Sequence, residues 1–92
     1  MIPKNRIATH PGEILLHEFL EPTGTTQMEL AHALGVPVQR INTIVNGKRG
    51  ITAETAIMLA RYFKMTPEFW MNLQNAWDLS RAAKHLRLAV PA

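Results

Sequence analysis

The chain has 92 residues, 47% of them hydrophobic, and carries 10 Lys and Arg against 7 Asp and Glu for a formal charge of +3. That suits one small domain with a core, of a size where dimerisation is a common remedy for marginal stability, and the modest basic excess permits a nucleic-acid partner without requiring one. With no Cys, a disulfide framework and a thiolate metal site are excluded; the first ten residues lack the apolar stretch of a secretory signal, no run reaches membrane-span length, and a cytoplasmic location is expected.

Five helices and no strand are predicted. The first opens at His10-Pro11, where proline suits a first helical turn because its missing N–H costs nothing there. His10 is expected to help cap it. Ile14, Leu15, Phe19 and Leu20 are assigned to one apolar face, and Glu21-Pro22-Thr23-Gly24 ends the helix. His10, Glu13 and His17 share roughly one side, with Glu18 following. The likeness to the zinc motif H-E-x-x-H fails because the second His is missing. No metal site is expected there, and His17 and Glu18 are assigned to the surface.

The second helix has the clearest start in the chain: Thr26 at the N-cap and Glu29 three residues on form a capping box. Met28, Leu30, Ala31 and Leu34 supply its apolar positions, and Gly35 stops it. The third helix begins near Pro37, buries Ile41, Ile44 and Val45, and ends at Asn46-Gly47. A fourth starts at Thr52 or Ala53, with Ala56, Ile57, Leu59, Ala60 and Phe63 facing the core. Thr66-Pro67-Glu68 opens the fifth, with a cap, a first-turn proline and an acidic first turn. The first nine or so residues and the last five or so are expected to fray.

Charge is unevenly spread. Acidic residues thin out around Arg40, Lys48 and Arg49, and again after Asp78, where Arg81, Lys84 and Arg87 follow; Lys4 and Arg6 make a third basic spot. The first of these spots adjoins the second and third helices, which are joined by the tight turn Gly35-Val36-Pro37. Such a pair, over about residues 26–46, has the sequence form of a helix-turn-helix, in which one helix lies across the DNA backbone and the next enters the major groove. With Ile41, Ile44 and Val45 inward, the opposite face of the third helix carries Val38, Gln39, Asn42, Thr43 and Asn46, with Arg40 at its edge. Gln and Asn can bond adenine bidentately, Arg guanine, and Val or Thr can touch a thymine methyl. Gln27 is placed to contact phosphate. Asn46, Lys48 and Arg49 are better placed for the DNA backbone than for bases. The same residues also suit an ordinary solvated helix face; the capped helix, the turn and the basic loop, all in register, favour DNA.

"TQMELAHALGVPVQRINTIVNGKRGIT" resembles the lambda-repressor-like (Xre-type) helix-turn-helix. Gln27, Glu29, Leu30, Ala31, Leu34, Gly35 and Val36 match the family's Q-x-E-L-A-x-x-L-G-V pattern, and Ile41 and Asn46 to Arg49 match the rest. The family usually has Ser or Thr where this chain has Pro37, which bears on how the third helix is capped. "HPGEILLHEFLEP" before the motif and "TPEFWMNLQNAWDL" after it are similar to the HigA/VapI branch of antitoxins. The likeness covers about His10 to Leu79. It implies an all-α, five-helix, lambda-repressor-like DNA-binding domain with a long C-terminal helix, spanning residues 1–92. It also implies a homodimer that represses its own operon at a palindromic operator and neutralises a HigB-type toxin, a RelE-like ribonuclease that cuts messenger RNA.

The fifth helix, about residues 67–86, is assigned to dimerisation. Phe69, Trp70, Leu73 and Trp77 offer more apolar surface than one face easily hides; some of it must be core, and part of the helix is assigned to the interface because Trp is typical of interface anchors. The toxin-facing surface is assigned to Met1–Thr9 and the first helix. A stand-alone repressor without a toxin is the alternative, and a protein-interaction domain that does not bind DNA is a third reading. No Gly-rich phosphate loop and no nucleophile–base pair is visible. An enzyme, a cofactor and a small-molecule substrate are therefore not expected.

Overall fold

The computed structural model describes residues 8–86. Five helical segments form it: α1 (residues 11–23), α2 (Gln27–Leu34), α3 (Val38–Val45), α4 (Ala53–Phe63) and α5 (Pro67–Leu86). The basic residues Lys4, Arg6 and Arg87 lie outside the described residues, as does most of the N-terminal arm.

The helix α1 departs from the expected regular helix. It is α-helical over Pro11–Ile14, widens into a π-helix over Leu15–Leu20, and is α-helical again over Glu21–Thr23. The apolar pairs Ile14/Leu15 and Phe19/Leu20 are five residues apart. In an α-helix, that spacing places them about 140° apart, on different faces. A π turn closes i→i+5 bonds, as the Glu21 N–H does onto the Leu16 carbonyl. The widened turn brings the two pairs to one side, and Leu15 and Leu20 are both buried. Gly24, at φ 67°, then ends α1.

At the other end, the His10 Nδ1 accepts the Gly12 N–H at 2.9 Å, the capping role expected of it. Its ring packs edge-on against Trp77, with centroids 4.9 Å apart. Burial lowers its pKa below the ordinary value of 6.5, partly offset by Glu13 and Asp78. A histidine held neutral in the fold is protonated more readily in the unfolded chain. Its share of stability is therefore whole above the ordinary value and lost as the pH falls through that value toward the folded one. His17 runs the other way, because its bond to Glu21 raises its pKa. Comparing melting temperatures of the wild type and His10→Asn from about pH 7 to about pH 5 isolates the buried group: the wild type should lose more stability on acidification than the variant.

The remaining boundaries follow local signals. Both arms of the Thr26–Glu29 capping box are made, at 2.9 and 3.0 Å, and Thr52 Oγ1 accepts the Thr55 N–H to open α4. A left-handed Lys64, φ 58°, closes α4. At the start of α5, Thr66 contributes its carbonyl, accepting the Phe69 N–H at 3.2 Å.

The core gathers Leu15, Leu20, Leu30, Ile41, Ile44, Leu59 and Trp70 from all five helices. Phe19 and Phe63 pack against it, 4.8 Å apart. Ile57, expected in the core, is exposed. Ala56, Leu59, Ala60 and Phe63 recur at the three- and four-residue spacing of a helix face, and Ile57 projects away from that face. Met28 is likewise exposed, and Val45 is half-buried rather than buried.

Candidate nucleic-acid interface

The turn between α2 and α3 is set by hydrogen bonds at both of its ends. Gly35 is left-handed at φ 72°. Its N–H reaches the His32 carbonyl at 3.2 Å, and the Val36 N–H reaches the Ala31 carbonyl at 3.0 Å. This is the Schellman pattern, which reverses the chain after one glycine. Val36 tucks against the core. Pro37 then stands at the N-cap of α3, extended and without a side-chain cap bond. The proline thus places the helix start at Val38.

Ile41 and Ile44 anchor α3 in the core. Its first turn stands clear, with Val38 and Gln39 exposed. Other expected readers are already engaged within the chain. Arg40 is half-buried and directed to α4, with Nη1 3.6 Å from the Glu54 carboxylate. Thr43 Oγ1 donates back to the Gln39 and Arg40 carbonyls at 2.9 and 3.1 Å. Asn42 is the middle of an amide ladder: its Nδ2 donates to Gln27 Oε1 at 3.3 Å, and its Oδ1 accepts from Asn46 Nδ2 at 3.2 Å. The ladder crosses from the first residue of α2 to the cap of α3 and engages the Oε1 of Gln27, not its Nε2 donor. Gln39, Arg40, Thr43 and Arg49 line a shallow concavity with Pro37.

The basic loop after α3 is held, not loose. The Thr43 carbonyl accepts the N–H groups of both Lys48 and Arg49, at 2.9 and 3.1 Å, and Gly47 turns the chain at φ 75°. The side chains of Lys48 and Arg49 remain exposed, as phosphate contacts require. Two residues that support this arrangement were not singled out from sequence. Gly12 lets α1 lie directly on the last turn of α3. Gln74, on α5, binds the Ile51 backbone just beyond the loop. A signal for Gln74 was available: a polar residue interrupts the inward Trp70/Trp77 stripe.

The expected dimer residues divide. Trp70 has no accessible surface within the chain itself. Trp77 is half-buried, with the Arg81 guanidinium 5.5 Å over its ring; Leu73 is half-buried, and Phe69 lies at the margin of exposure. The larger free apolar surface lies further along α5, at Leu79, Ala82, Ala83 and Leu86, all exposed. No helix among the described residues is long and apolar enough to cross a membrane.

A capped helix, a glycine turn, a second helix begun at Pro37 and an anchored basic loop make this a helix-turn-helix domain. A helix-turn-helix family model matches residues 16–70. Virulence-associated protein I of Dichelobacter nodosus is 52% identical over 75 residues, covering 82% of this chain and 69% of the relative. Antitoxin HigA-1 of Vibrio cholerae is 48% identical over 68 residues, covering 74% of this chain and 64% of the relative. Among solved structures, the Pseudomonas aeruginosa antitoxin HigA with the higBA promoter superposes with a TM-score of 0.85 at 43% identity, covering 88% of both chains. The chain belongs to the Xre-type helix-turn-helix family, in its HigA/VapI branch of non-enzymatic DNA-binding regulators.

Proposed function

We propose that the chain is an antitoxin that binds its own operator as a dimer, represses its operon, and neutralises a HigB-type, RelE-like toxin. The observation that carries the DNA-binding part is the exposed first turn of α3, flanked by Gln27 on one side and the anchored Lys48–Arg49 loop on the other. The similar Pseudomonas HigA, described with a promoter, supports it. In this reading Gln39 and Val38 reach the bases, while Gln27, Lys48 and Arg49 hold phosphates. Arg40, Asn42, Thr43 and Asn46 line the same surface, with their groups already oriented by neighbours.

One such helix reads too few bases to be specific. A two-fold pair would match an inverted repeat with half-sites about 34 Å apart, or a multiple of that. Dimerisation through α5 fits this need, with Leu79, Ala82, Ala83 and Leu86 extending the interface beyond Phe69, Leu73 and Trp77. The outer face of α1 exposes Glu13, Glu18 and Glu21, an acidic surface that suits a basic toxin. Growth rescue on co-expression with the product of the adjacent gene tests that half of the proposal.

The DNA half is tested by two substitutions on the operator upstream of the gene. Gln39→Ala should lose about 1–3 kcal/mol on the preferred site and relax discrimination at one base pair. Lys48→Ala should weaken all sequences about equally and flatten the salt dependence. Identical behaviour of the two variants would sink the division into reading and anchoring.

A further inference from the structure

Between the basic loop and α5 lies a buried polar contact that the DNA-reading surface does not itself use. Gln74 is buried. Its Oε1 accepts the Ile51 N–H at 2.6 Å, the shortest of the described side-chain hydrogen bonds, and its Nε2 donates to Asp78 Oδ1 at 2.9 Å. Ile51 is itself buried, and Gln74 is the partner of its N–H among the described residues. Gly50 makes the approach possible: a Cβ there would come within 2.9–3.0 Å of the Gln74 amide atoms. The loop is therefore fixed at both ends. Thr43 holds Lys48 and Arg49 from the α3 side, and Gln74 holds Ile51 from α5.

We propose that Gln74, braced by Asp78, is a positioning residue for operator binding: it sets the Lys48–Arg49 loop against α5, so that the helix assigned to dimerisation also fixes where the phosphate-binding groups stand. Gln74 touches no DNA. It acts through the loop backbone, and it couples any shift of α5 to the two cations. The inference rests on the operator-binding reading above.

The test compares wild type, Gln74→Met, Gly50→Ala and the double variant Gln74→Glu with Asp78→Asn on the upstream operator over a range of salt. Methionine fills the space without an acceptor. Alanine at 50 displaces the same amide from the loop side. Glutamate, made together with Asp78→Asn so that an amide donor and not a second carboxylate faces it, keeps an oxygen for Ile51. An amide spectrum first establishes that each variant is folded and reports the Ile51 N–H, which the short bond should place downfield in wild type and the double variant.

Gln74→Met and Gly50→Ala should bind about tenfold more weakly, with a log–log salt slope shallower by about 1, the signature of a lost phosphate contact. Discrimination at the Gln39 base pair should persist, and the double variant should recover most of the slope. Loss of stability alone would lower the active fraction and leave the slope unchanged. Wild-type slopes in folded Gln74→Met and Gly50→Ala would overturn the inference while leaving operator binding intact. Absence of specific wild-type binding at low salt would overturn the operator reading, and this inference with it.

Discussion

Trp70→Ala is expected to destabilise the isolated domain by about 3–5 kcal/mol, the range for deleting a large buried aromatic. Against a total of roughly 5–15 kcal/mol for a native domain, that approaches unfolding. The side chain is fully buried. Its ring lies 5.0 Å from Phe19 of α1 and 6.4 Å from Phe63 of α4, so one residue of α5 ties three helices together. Its Nε1–H has no hydrogen-bond partner among the described residues, which costs about 1–3 kcal/mol. Trp70→Phe removes that unpaired donor and keeps an aromatic ring. It should therefore lose much less than Trp70→Ala, despite the vacated volume. Thermal unfolding at several protein concentrations checks both claims. Core damage gives the same loss at every concentration, whereas damage to an interface shrinks as mass action favours the dimer. Leu79→Arg is the counter-case: Leu79 is 69% exposed, so the substitution should leave monomer stability nearly intact and weaken association. A Trp70→Ala defect that disappears at high concentration would return Trp70 to the interface.

That contrast marks where the sequence was legible and where it was not. Signals that act within four residues were readable. The Thr26–Glu29 box and the glycines at 24, 35 and 47 bond to near neighbours, so the chain order alone exposes them; it leaves the start of α4 between Thr52 and Ala53, and the Thr52 bond to Thr55 decides it. The same locality made the helix-turn-helix readable, and the period of α3 identified Ile41 and Ile44. What was missed depends on other helices. Trp70 and Trp77 look alike in sequence, but only the packing of Phe19 and Phe63 decides that Trp70 is core. Arg40 points to Glu54 because α4 crosses there, and Asn42 is engaged because α2 presents Gln27 beside it. The π turn falls between these cases. Its five-residue apolar spacing was visible in Ile14/Leu15 and Phe19/Leu20, yet it reads as a single face only if the turn is widened.

Gly12→Ala tests the closest of these non-local contacts, and two effects of opposite sign meet there. Gly12 lies in the first turn of α1 with an ordinary helical backbone. Helix propensity alone would therefore favour alanine by about 1 kcal/mol. Packing opposes it. An added Cβ would overlap the Ile44 carbonyl oxygen, and would lie 2.7 Å from the carbonyl carbon and 3.0 Å from the Val45 Cα. These are backbone atoms in the last turn of α3, and no rotamer change can clear them. Overpacking a close-packed site costs about 1–3 kcal/mol, occasionally more, and with backbone on the far side the upper end applies. The net expectation is a loss of about 2 kcal/mol, or roughly 8–16 °C in melting temperature for a domain of this size. Operator affinity should fall further than the unfolded fraction accounts for, because α1 can make room only by pushing the end of α3 and its loop outward. Gly24→Ala separates sterics from backbone preference: nothing lies within 4 Å of its Cβ position, but its φ is +67°. It should cost about 1–2 kcal/mol from the left-handed backbone alone and leave operator affinity per folded molecule unchanged. If Gly12→Ala instead raises the melting temperature, α1 does not lie directly on the last turn of α3, and the support assigned to the DNA-reading helix is wrong.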